Sequence, residues 1–159
     1  MLRNRKGVTL YEIITVATLA AIMLAFAYPR MSEARRAAAL ASARTQVESY
    51  LALARTIAIR NGGKTQFVRN GNTLKIEADT GTGWVAVAKP ITIDASAISL
   101  SGTASTIAFD SRGLATGLNA GGEKFYLTIV SAYGAGMKDS ICVTRLGALL
   151  DRNCGAAAP

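Results

Sequence analysis

The sequence Gly7-Val8-Thr9-Leu10-Tyr11-Glu12 opens an apolar run that continues to Tyr28. Three basic residues precede this run: Arg3, Arg5 and Lys6. Glu12 is the one charged residue within it. A helix of about 21 residues is roughly 30 Å long, which matches the thickness of one bilayer core. A lone carboxylate near the end of such a helix is costly in lipid, so Glu12 requires a partner.

The composition changes along the chain. Residues 1–60 are rich in Ala, Leu, Ile and Arg, whereas the remainder is rich in Gly, Thr, Ser and Val, so we expect a helix followed by a β-rich region. A length of 159 residues allows one compact domain plus an extension. The formal net charge of +8 is a weak indication of an anionic partner and more often serves solubility.

The residue types give almost no support to catalysis. The sequence contains no histidine, which removes the commonest general base and the commonest metal ligand. It also lacks a Gly-x-Ser-x-Gly motif, a phosphate-binding loop of the Walker type and a cluster of cysteine ligands. We therefore predict no enzymatic activity, no catalytic residue, no metal site and no cofactor.

Two cysteines, Cys142 and Cys154, lie near the C-terminus. Two thiols without histidines are too few for a structural zinc site. In an exported protein they would form a disulfide that closes a short loop and contributes about 3 kcal/mol in the chain-entropy model. In a cytosolic protein they would remain free thiols. The apolar segment favours export, and with it the disulfide.

The opening segment has three interpretations. As a secretory signal it would be cleaved after Ala27, because Ala25-Phe26-Ala27 fits a small-x-small site, and a β-domain starting at Tyr28 would be released. As a plain membrane anchor it has the right length, and the basic residues before it would hold the N-terminus on the cytoplasmic side. Neither interpretation explains Glu12.

The third interpretation does explain Glu12. The string from Lys6 to Glu12 resembles the processing site of type IV pilin-like precursors, in which a short basic leader ends in Gly before an apolar helix. The resemblance implies that a prepilin peptidase cuts between Gly7 and Val8 and that the new amino terminus of Val8 is methylated. Glu12 would then neutralise that amino group, its own or a neighbouring subunit's, because the two charges satisfy each other in lipid. The family usually has Phe after the cut, and Val8 departs from this pattern.

The helix is predicted to continue beyond Pro29, because residues 32–60 are rich in good helix formers. Apolar residues recur there with a period of 3.6, which indicates a face packed against something: Leu40, Ala43, Val47, Tyr50, Leu51, Ala54, Ile57 and Ala58. The opposite face is polar: Ser42, Thr45, Glu48, Ser49, Arg55 and Thr56. Asn61-Gly62-Gly63 suits a C-terminal cap.

Four arginines follow the apolar run: Arg30, Arg35, Arg36 and Arg44. Contact with lipid headgroups or nucleic acid is one interpretation. The simpler one is a solvated helix face that is partly paired with Glu33 and Glu48.

After Gly63 the hydrophobic pattern changes to period two. The first two predicted strands flank Asn70-Gly71-Asn72, a strong hairpin signal. Strands are predicted at residues 65–69, 73–77, 84–89, 91–93, 98–100, 106–109, 124–130 and 140–144, with a weaker one at 148–150. Short connections indicate antiparallel pairing. Trp84 is expected to lie in the core.

Two stretches of the predicted head narrow the resemblance. Residues 107–113 resemble a Phe-x-x-x-Gly strand and turn of GspH/FimT-like minor pilins, and residues 141–147 resemble their final strand and turn. The family implies an α+β, pilin-like fold, with a long N-terminal helix packed on an antiparallel β-rich head. The predicted organisation is a leader (1–7), a transmembrane or filament-core helix (8–29), an amphipathic helix packed on the head (30–60), and the head with its C-terminal disulfide loop (61–159).

The resemblance implies a minor pseudopilin of a type II secretion pseudopilus, the filament that drives protein export. It would be anchored by a single pass in the bacterial inner membrane with its head in the periplasm. Its partners would be other pilin or pseudopilin subunits, the prepilin peptidase and an exported substrate. The alternative is a minor pilin that primes assembly of a type IV pilus.

FimT-like members also imply binding of DNA during natural transformation. Their binding site uses a C-terminal Gly-Arg-x-Arg, whereas here Gly147 is followed by Ala148-Leu149-Leu150. Arg145 and Arg152 are only nearby, and phosphate binding normally needs several convergent positive groups. DNA is therefore the weaker prediction for a partner.

Overall fold

The structure, a computed structural model, describes residues 9–102, 104–116, 124–131 and 138–151. The helix is α1 (Leu10–Asn61). The strands are β1 (Thr65–Asn70), β2 (Thr73–Asp79), β3 (Trp84–Ala86), β4 (Ile91–Thr92), β5 (Ile98–Gly102), β6 (Thr106–Phe109), β7 (Ala115–Thr116), β8 (Lys124–Ser131), β9 (Lys138–Thr144) and β10 (Leu149–Asp151). The chain divides into two units, Met1–Arg35 and Arg36–Pro159, and each is described by itself.

In the second unit, α1 packs on the head through its predicted stripe. Six of the eight predicted positions are buried, and the other two, Leu40 and Ile57, pack partly against the same core. The helix ends as predicted, because Gly62 has a φ of +62° and its N–H donates to the carbonyl of Ile59 at 3.3 Å. Hydrophobic periodicity therefore fixes which face of α1 meets the sheets.

The head contains two antiparallel sheets. The first has the order β3-β2-β1-β6-β7, with β4 also pairing with β2, and the second has the order β10-β9-β8-β5. The predicted hairpin is present, with Asn70 opposite Thr73 and a positive φ of +57° at Gly71. The α+β fold class and the antiparallel head are thereby confirmed. The two-residue strand β7 was not predicted, because so short a segment carries no periodic signal.

The core lies between α1 and the inner faces of the sheets. Burial alternates along β8, so that Phe125, Leu127 and Ile129 point inward, as a strand with one buried face requires. Tyr50 of α1 packs edge-on against Phe67, with ring centroids 6.3 Å apart. Its hydroxyl donates to the carbonyl of Lys89 at 2.8 Å, which satisfies the polar end of a buried ring.

Arg44 departs from the solvated face that was predicted for the arginines. Its guanidinium is paired with Glu48, as predicted, and also with Asp139 of β9, each at 2.8 Å. The Arg44 side chain is only 14% exposed, because β9 covers it. Arg44 is thus a structural ion-pair residue that joins α1 to the second sheet.

Trp84 is not a core residue, contrary to the sequence prediction. Its side chain is 44% exposed, and every residue of β3 is exposed. The reason is the position of β3, which spans three residues at the edge of the first sheet. Pro90, which follows shortly after β3, agrees with this position, because proline is tolerated beside edge strands and not within central ones.

The two sheets are joined by Asn72, which lies in the turn of the first hairpin. Its side-chain amide donates to the carbonyl of Ile98 at 2.6 Å and to that of Ile93 at 3.3 Å. Its side-chain oxygen accepts from the N–H of Leu100 at 3.2 Å. Arg69 adds a bond to the carbonyl of Leu100 at 3.2 Å. The turn therefore holds β5, the edge strand of the second sheet.

Candidate assembly site and head groove

The first half of α1 exposes an apolar surface. Its large apolar side chains from residue 10 to residue 31 are between 52% and 80% exposed. An 18-residue window of α1 has a mean hydropathy of 2.0, and none of it is buried. This helix is long and apolar enough to cross a membrane, although a signal sequence has the same properties. A helix without a polar face needs lipid or other helices around it.

Glu12 lies in the first turn of α1, and its exposed carboxylate has no ion-pair partner among the residues described. The N–H of Glu12 donates to the hydroxyl of Thr9 at 3.3 Å, so Thr9 acts as the N-cap. An acid at the third helical position is favourable there on local grounds, because it faces the positive end of the helix dipole. Sequence reasoning missed this local role, although the spacing Thr-x-x-Glu carries it.

Thr15 and Thr18 are the polar residues that follow Glu12 in the apolar run. The hydroxyl of Thr15 donates to the carbonyl of Glu12 at 3.0 Å, and that of Thr18 donates to the carbonyl of Thr15 at 2.9 Å. Both hydroxyls are therefore satisfied within the helix. They do not conflict with an apolar environment.

Several predicted site residues lie outside the described part of the chain. These are Gly7 and Val8 of the predicted cleavage site, Cys154 of the predicted disulfide, and Arg152. Cys142 is fully buried in β9, but its predicted pairing with Cys154 stays a prediction. Arg145 is exposed in the turn between β9 and β10.

The two turns that carry the head resemblance lie against each other. In the first, Gly113 donates its N–H to the carbonyl of Asp110 at 2.9 Å, and in the second, Gly147 donates to the carbonyl of Thr144 at 2.8 Å. The N–H of Ala115 donates to the carbonyl of Arg145 at 2.9 Å and so links them. Both glycines are buried and have positive φ, +78° and +71°. We call this pair of turns the turn joint.

Arg55 of α1 lies beneath the turn joint. Its Nη1 donates to the carbonyl of Gly147 at 3.0 Å. A Cβ on Gly147 would collide with the carbonyl oxygen of Gly113 and lie 3.0 Å from Nε of Arg55. Close packing of three backbone and side-chain groups therefore accounts for glycine in both motifs.

Arg55 was predicted on the polar face opposite the buried stripe, but the turn joint covers its side chain and leaves it half-buried. Arg55 follows Leu51 by four positions and precedes Ala58 by three, so it borders the buried stripe. That spacing was the signal that could have identified it.

A groove of about 320 Å³ lies between α1 and the end of the head that carries the turn joint. Its lining is mostly apolar: Leu51, Ala52, Arg55, Thr56, Ile59, Phe109, Gly147 and Leu149. Arg55 is the one charged residue of this lining, and its buried Nε has no hydrogen-bond partner in the described part of the chain. We refer to this feature as the head groove.

No group of three or more Asp, Glu, Cys or His side chains that could hold a metal occurs in the described segments. Three of the described aspartates, Asp79, Asp94 and Asp110, accept hydrogen bonds in local turns. Asp94, for example, accepts from the hydroxyl and the N–H of Ser96 at 2.7 and 2.9 Å, and these bonds hold the pKa of its carboxyl below the usual value.

No protein-family model matches the sequence, and no curated protein matches it. Solved structures do match the fold. The type IV minor pilin FimU of Pseudomonas aeruginosa aligns with a TM-score of 0.59 at 13% identity, over 70% of this chain and 87% of FimU. The type II secretion minor pseudopilin EpsH of Vibrio cholerae aligns with TM-scores of 0.54 and 0.53 in two structures, at 17% and 16% identity. These cover 69% and 76% of this chain and 92% and 96% of EpsH.

The chain has a pilin-like fold. At 13–17% identity the likeness concerns the fold alone. The matched proteins include one from each of the two filament systems considered above, and both are structural subunits rather than enzymes. The helix and head of this chain thus share the fold of those two subunits.

Proposed function

We propose that this pilin-like chain is a minor pseudopilin of a type II secretion pseudopilus. The observation that supports the proposal is the apolar first half of α1, in which none of the 18-residue apolar window is buried by the described residues. The same chain carries a head with the fold seen in FimU and EpsH. In this proposal the helix enters the inner membrane and then the core of the filament. The head lies in the periplasm and makes the contacts with neighbouring subunits.

The proposed processing step is cleavage between Gly7 and Val8, followed by methylation of the Val8 amino group. Glu12 would pair with that amino group in its own chain or in a neighbouring subunit. Thr9 supports this role, because its cap places Glu12 in the first turn of α1 with an exposed carboxylate. In lipid, an ammonium and a carboxylate each lack any alternative partner.

The test of this role is Glu12→Ala in the full chain. The variant should be processed and inserted normally but should be lost from isolated filaments, because the docking charge is gone. Glu33→Ala is the matched control, since Glu33 is an exposed acid of the same helix beyond the apolar run. Normal incorporation of Glu12→Ala would contradict the role.

The cleavage site has its own test. The mature protein should begin with methylated Val8 by mass spectrometry, and Gly7→Ser should block the cut and leave an uncleaved membrane protein. A mature protein that begins at Tyr28 would overturn the proposal in favour of an ordinary secretory signal. Full cleavage of Gly7→Ser would place the site elsewhere.

The second candidate is a minor pilin that primes assembly of a type IV pilus, and the match to FimU favours it. Deletion of the gene separates the two systems. A pseudopilin mutant should fail to release folded proteins into the medium while keeping its surface pili. A mutant of the pilus subunit should show the opposite phenotype.

DNA binding through Arg145 and Arg152 remains a weaker proposal. Arg145 is exposed, but its turn lacks the additional arginines that a phosphate site needs. A gel shift at low salt, lost in Arg145→Ala plus Arg152→Ala, would support it. The absence of a shift at low salt would exclude it.

A further inference from the structure

Arg55 lies at the edge of the head groove and has no counterion among the residues that the structure describes. Within the described segments its guanidinium donates one hydrogen bond, to the carbonyl of Gly147, and its Nε is buried without a hydrogen-bond partner. No carboxylate in the described part of the chain forms an ion pair with it. A buried N–H without a hydrogen-bond partner is uncommon in proteins, and the Nε of Arg55 therefore needs an explanation.

The rest of the groove is apolar. Leu51 and Phe109 form its buried part, whereas Ile59 and Leu149 are 50% and 38% exposed at its rim. Leu146, in the adjoining turn, is 70% exposed. The groove thus offers an apolar surface next to one guanidinium. This chemistry matches a carboxylate with an apolar side chain beside it.

From this complementarity we infer that the head groove binds a segment of another subunit of the same filament, in which an Asp or Glu is flanked by apolar residues. The inference rests on the proposed filament function. The carboxylate would bind the guanidinium of Arg55 that the turn joint holds in place, and the apolar side chain would cover Ile59 and Leu149. A planar guanidinium presents paired donors to a carboxylate, so the contact is directional.

The size of the groove favours a partner that is already close by. A volume of about 320 Å³ accepts only a few side chains. The surface area buried by such a contact is far smaller than that of a stable independent interface. Subunits assembled through their helices would hold the segment at a high effective concentration, which makes a small contact sufficient. A freely diffusing exported protein would not have this advantage.

The lining argues against nucleic acid as the occupant. Phosphate recognition depends on several convergent cations, whereas one guanidinium lines the groove and the remaining side chains are apolar or a single hydroxyl. The exposed Arg145 lies two residues before Gly147 and adds positive charge near the rim. It strengthens the attraction for an acidic segment.

The experiment places a photoreactive benzoylphenylalanine at Ala52, an exposed residue of the groove lining, in the full chain within cells. Cross-linked peptides are then mapped by mass spectrometry. We expect a cross-link to another pilin-like subunit next to an Asp or Glu with apolar neighbours. The same probe at Leu53, which is 42% exposed but outside the groove, should not form that cross-link.

Thr56→Glu tests the charge without disturbing the core. Thr56 is exposed in the groove lining, and its hydroxyl donates a hydrogen bond within α1 to the carbonyl of Ala52 at 2.8 Å. An added carboxylate there should repel the acidic segment and lower the cross-link yield by about tenfold. Thr45→Glu is the matched control, because Thr45 is an exposed threonine of α1 with the same bond, to Ala41 at 3.0 Å, outside the groove.

A charge reversal on the partner, combined with Thr56→Glu, is the decisive part of the experiment. Replacing the mapped carboxylate of the partner by Lys should abolish the cross-link with the original chain and restore it with Thr56→Glu. The inference is overturned by a cross-link that Thr56→Glu does not reduce, by the absence of any cross-link, or by one to an exported protein, to DNA, or to residues 152–159 of the chain itself.

The experiments distinguish a wrong inference about the head groove from a wrong proposal about the filament function. If the Ala52 probe chain enters filaments without any cross-link, the groove inference falls and the filament function stands. If the chain is absent from filaments with or without Glu12, the proposed function falls instead.

Discussion

The two halves of α1 differ in how their apolar residues are arranged and in how far these are buried. Leu19 in the first half is 58% exposed, whereas Leu51 in the second half is 1% exposed. In the second half, apolar residues form a stripe with a polar face opposite, and the head covers the stripe. The first half has no polar face, so no single covering surface would satisfy it. An apolar stripe with a polar face opposite thus indicates cover by one surface of the same chain, whereas apolar residues on all sides indicate cover from outside it.

The largest expected effect on the free energy of unfolding comes from a Leu→Ala substitution, made once in each half of α1. Leu51→Ala should lower the free energy of unfolding of the head by roughly 3–4 kcal/mol, because it leaves a cavity in a packed core. Leu19→Ala should change it by less than about 0.5 kcal/mol. Urea denaturation of the full chain in micelles, followed by the fluorescence of Trp84, the single tryptophan, measures both. Equal effects would refute the comparison.

A smaller effect sharpens the comparison within the head. Gly147→Ala should cost about 2–3 kcal/mol, because the added methyl group is strained at a positive φ and collides with Gly113. Gly71→Ala at the open hairpin turn should cost about 1 kcal/mol, since its φ is also positive but no atom lies within 4 Å of the added carbon. The same denaturation assay applies. A Gly71 variant as damaged as the Gly147 variant would show that backbone strain outweighs packing.

The smallest effect concerns the tyrosines of α1. Tyr11 and Tyr28 are 77% and 80% exposed, whereas Tyr50 is 6% exposed. Burial disfavours the tyrosinate and raises the pKa of Tyr50 above its usual value of 10.0. The folded chain therefore keeps this proton longer than the unfolded chain does. The corresponding stability is present below a pH of about 10 and is lost as the pH rises through the folded pKa.

Tyr50→Phe should remove this part of the alkaline loss of stability. It should also lower the free energy of unfolding at neutral pH by about 1 kcal/mol, because the bond to the carbonyl of Lys89 is lost. Denaturation curves at neutral and alkaline pH measure both quantities, with Tyr28→Phe as the exposed control. An unchanged alkaline slope in Tyr50→Phe would contradict the assignment.

Local patterns predicted most of the fold. The stripe of α1, its cap at Gly62 and the hairpin at Gly71 each depend on a few neighbouring residues, and each is present. The turn motifs at Gly113 and Gly147 were also recognised. That they lie against each other depends on residues far apart in the chain, which no local pattern contains.

The errors have the same origin. The exposure of Trp84 follows from the edge position of β3. The alternation of apolar and polar residues along a strand does not tell which place the strand takes in its sheet. Arg44 was predicted on a solvated face and Arg55 on the polar face opposite the stripe, but β9 and the turn joint cover them. The head groove was missed for this reason, since Arg55 is its one charged residue.

The side chain of Asn72 has a consequence for the behaviour of many copies together. An edge strand with free N–H and carbonyl groups invites pairing with a strand of another molecule, and crowding of anchored heads in a membrane would increase that risk. On β5, the carbonyl of Ile98 and both backbone groups of Leu100 are already engaged by Asn72 and Arg69. The hairpin turn thus occupies backbone groups that a strand of another molecule would need, and this disfavours the merging of sheets between copies of the chain.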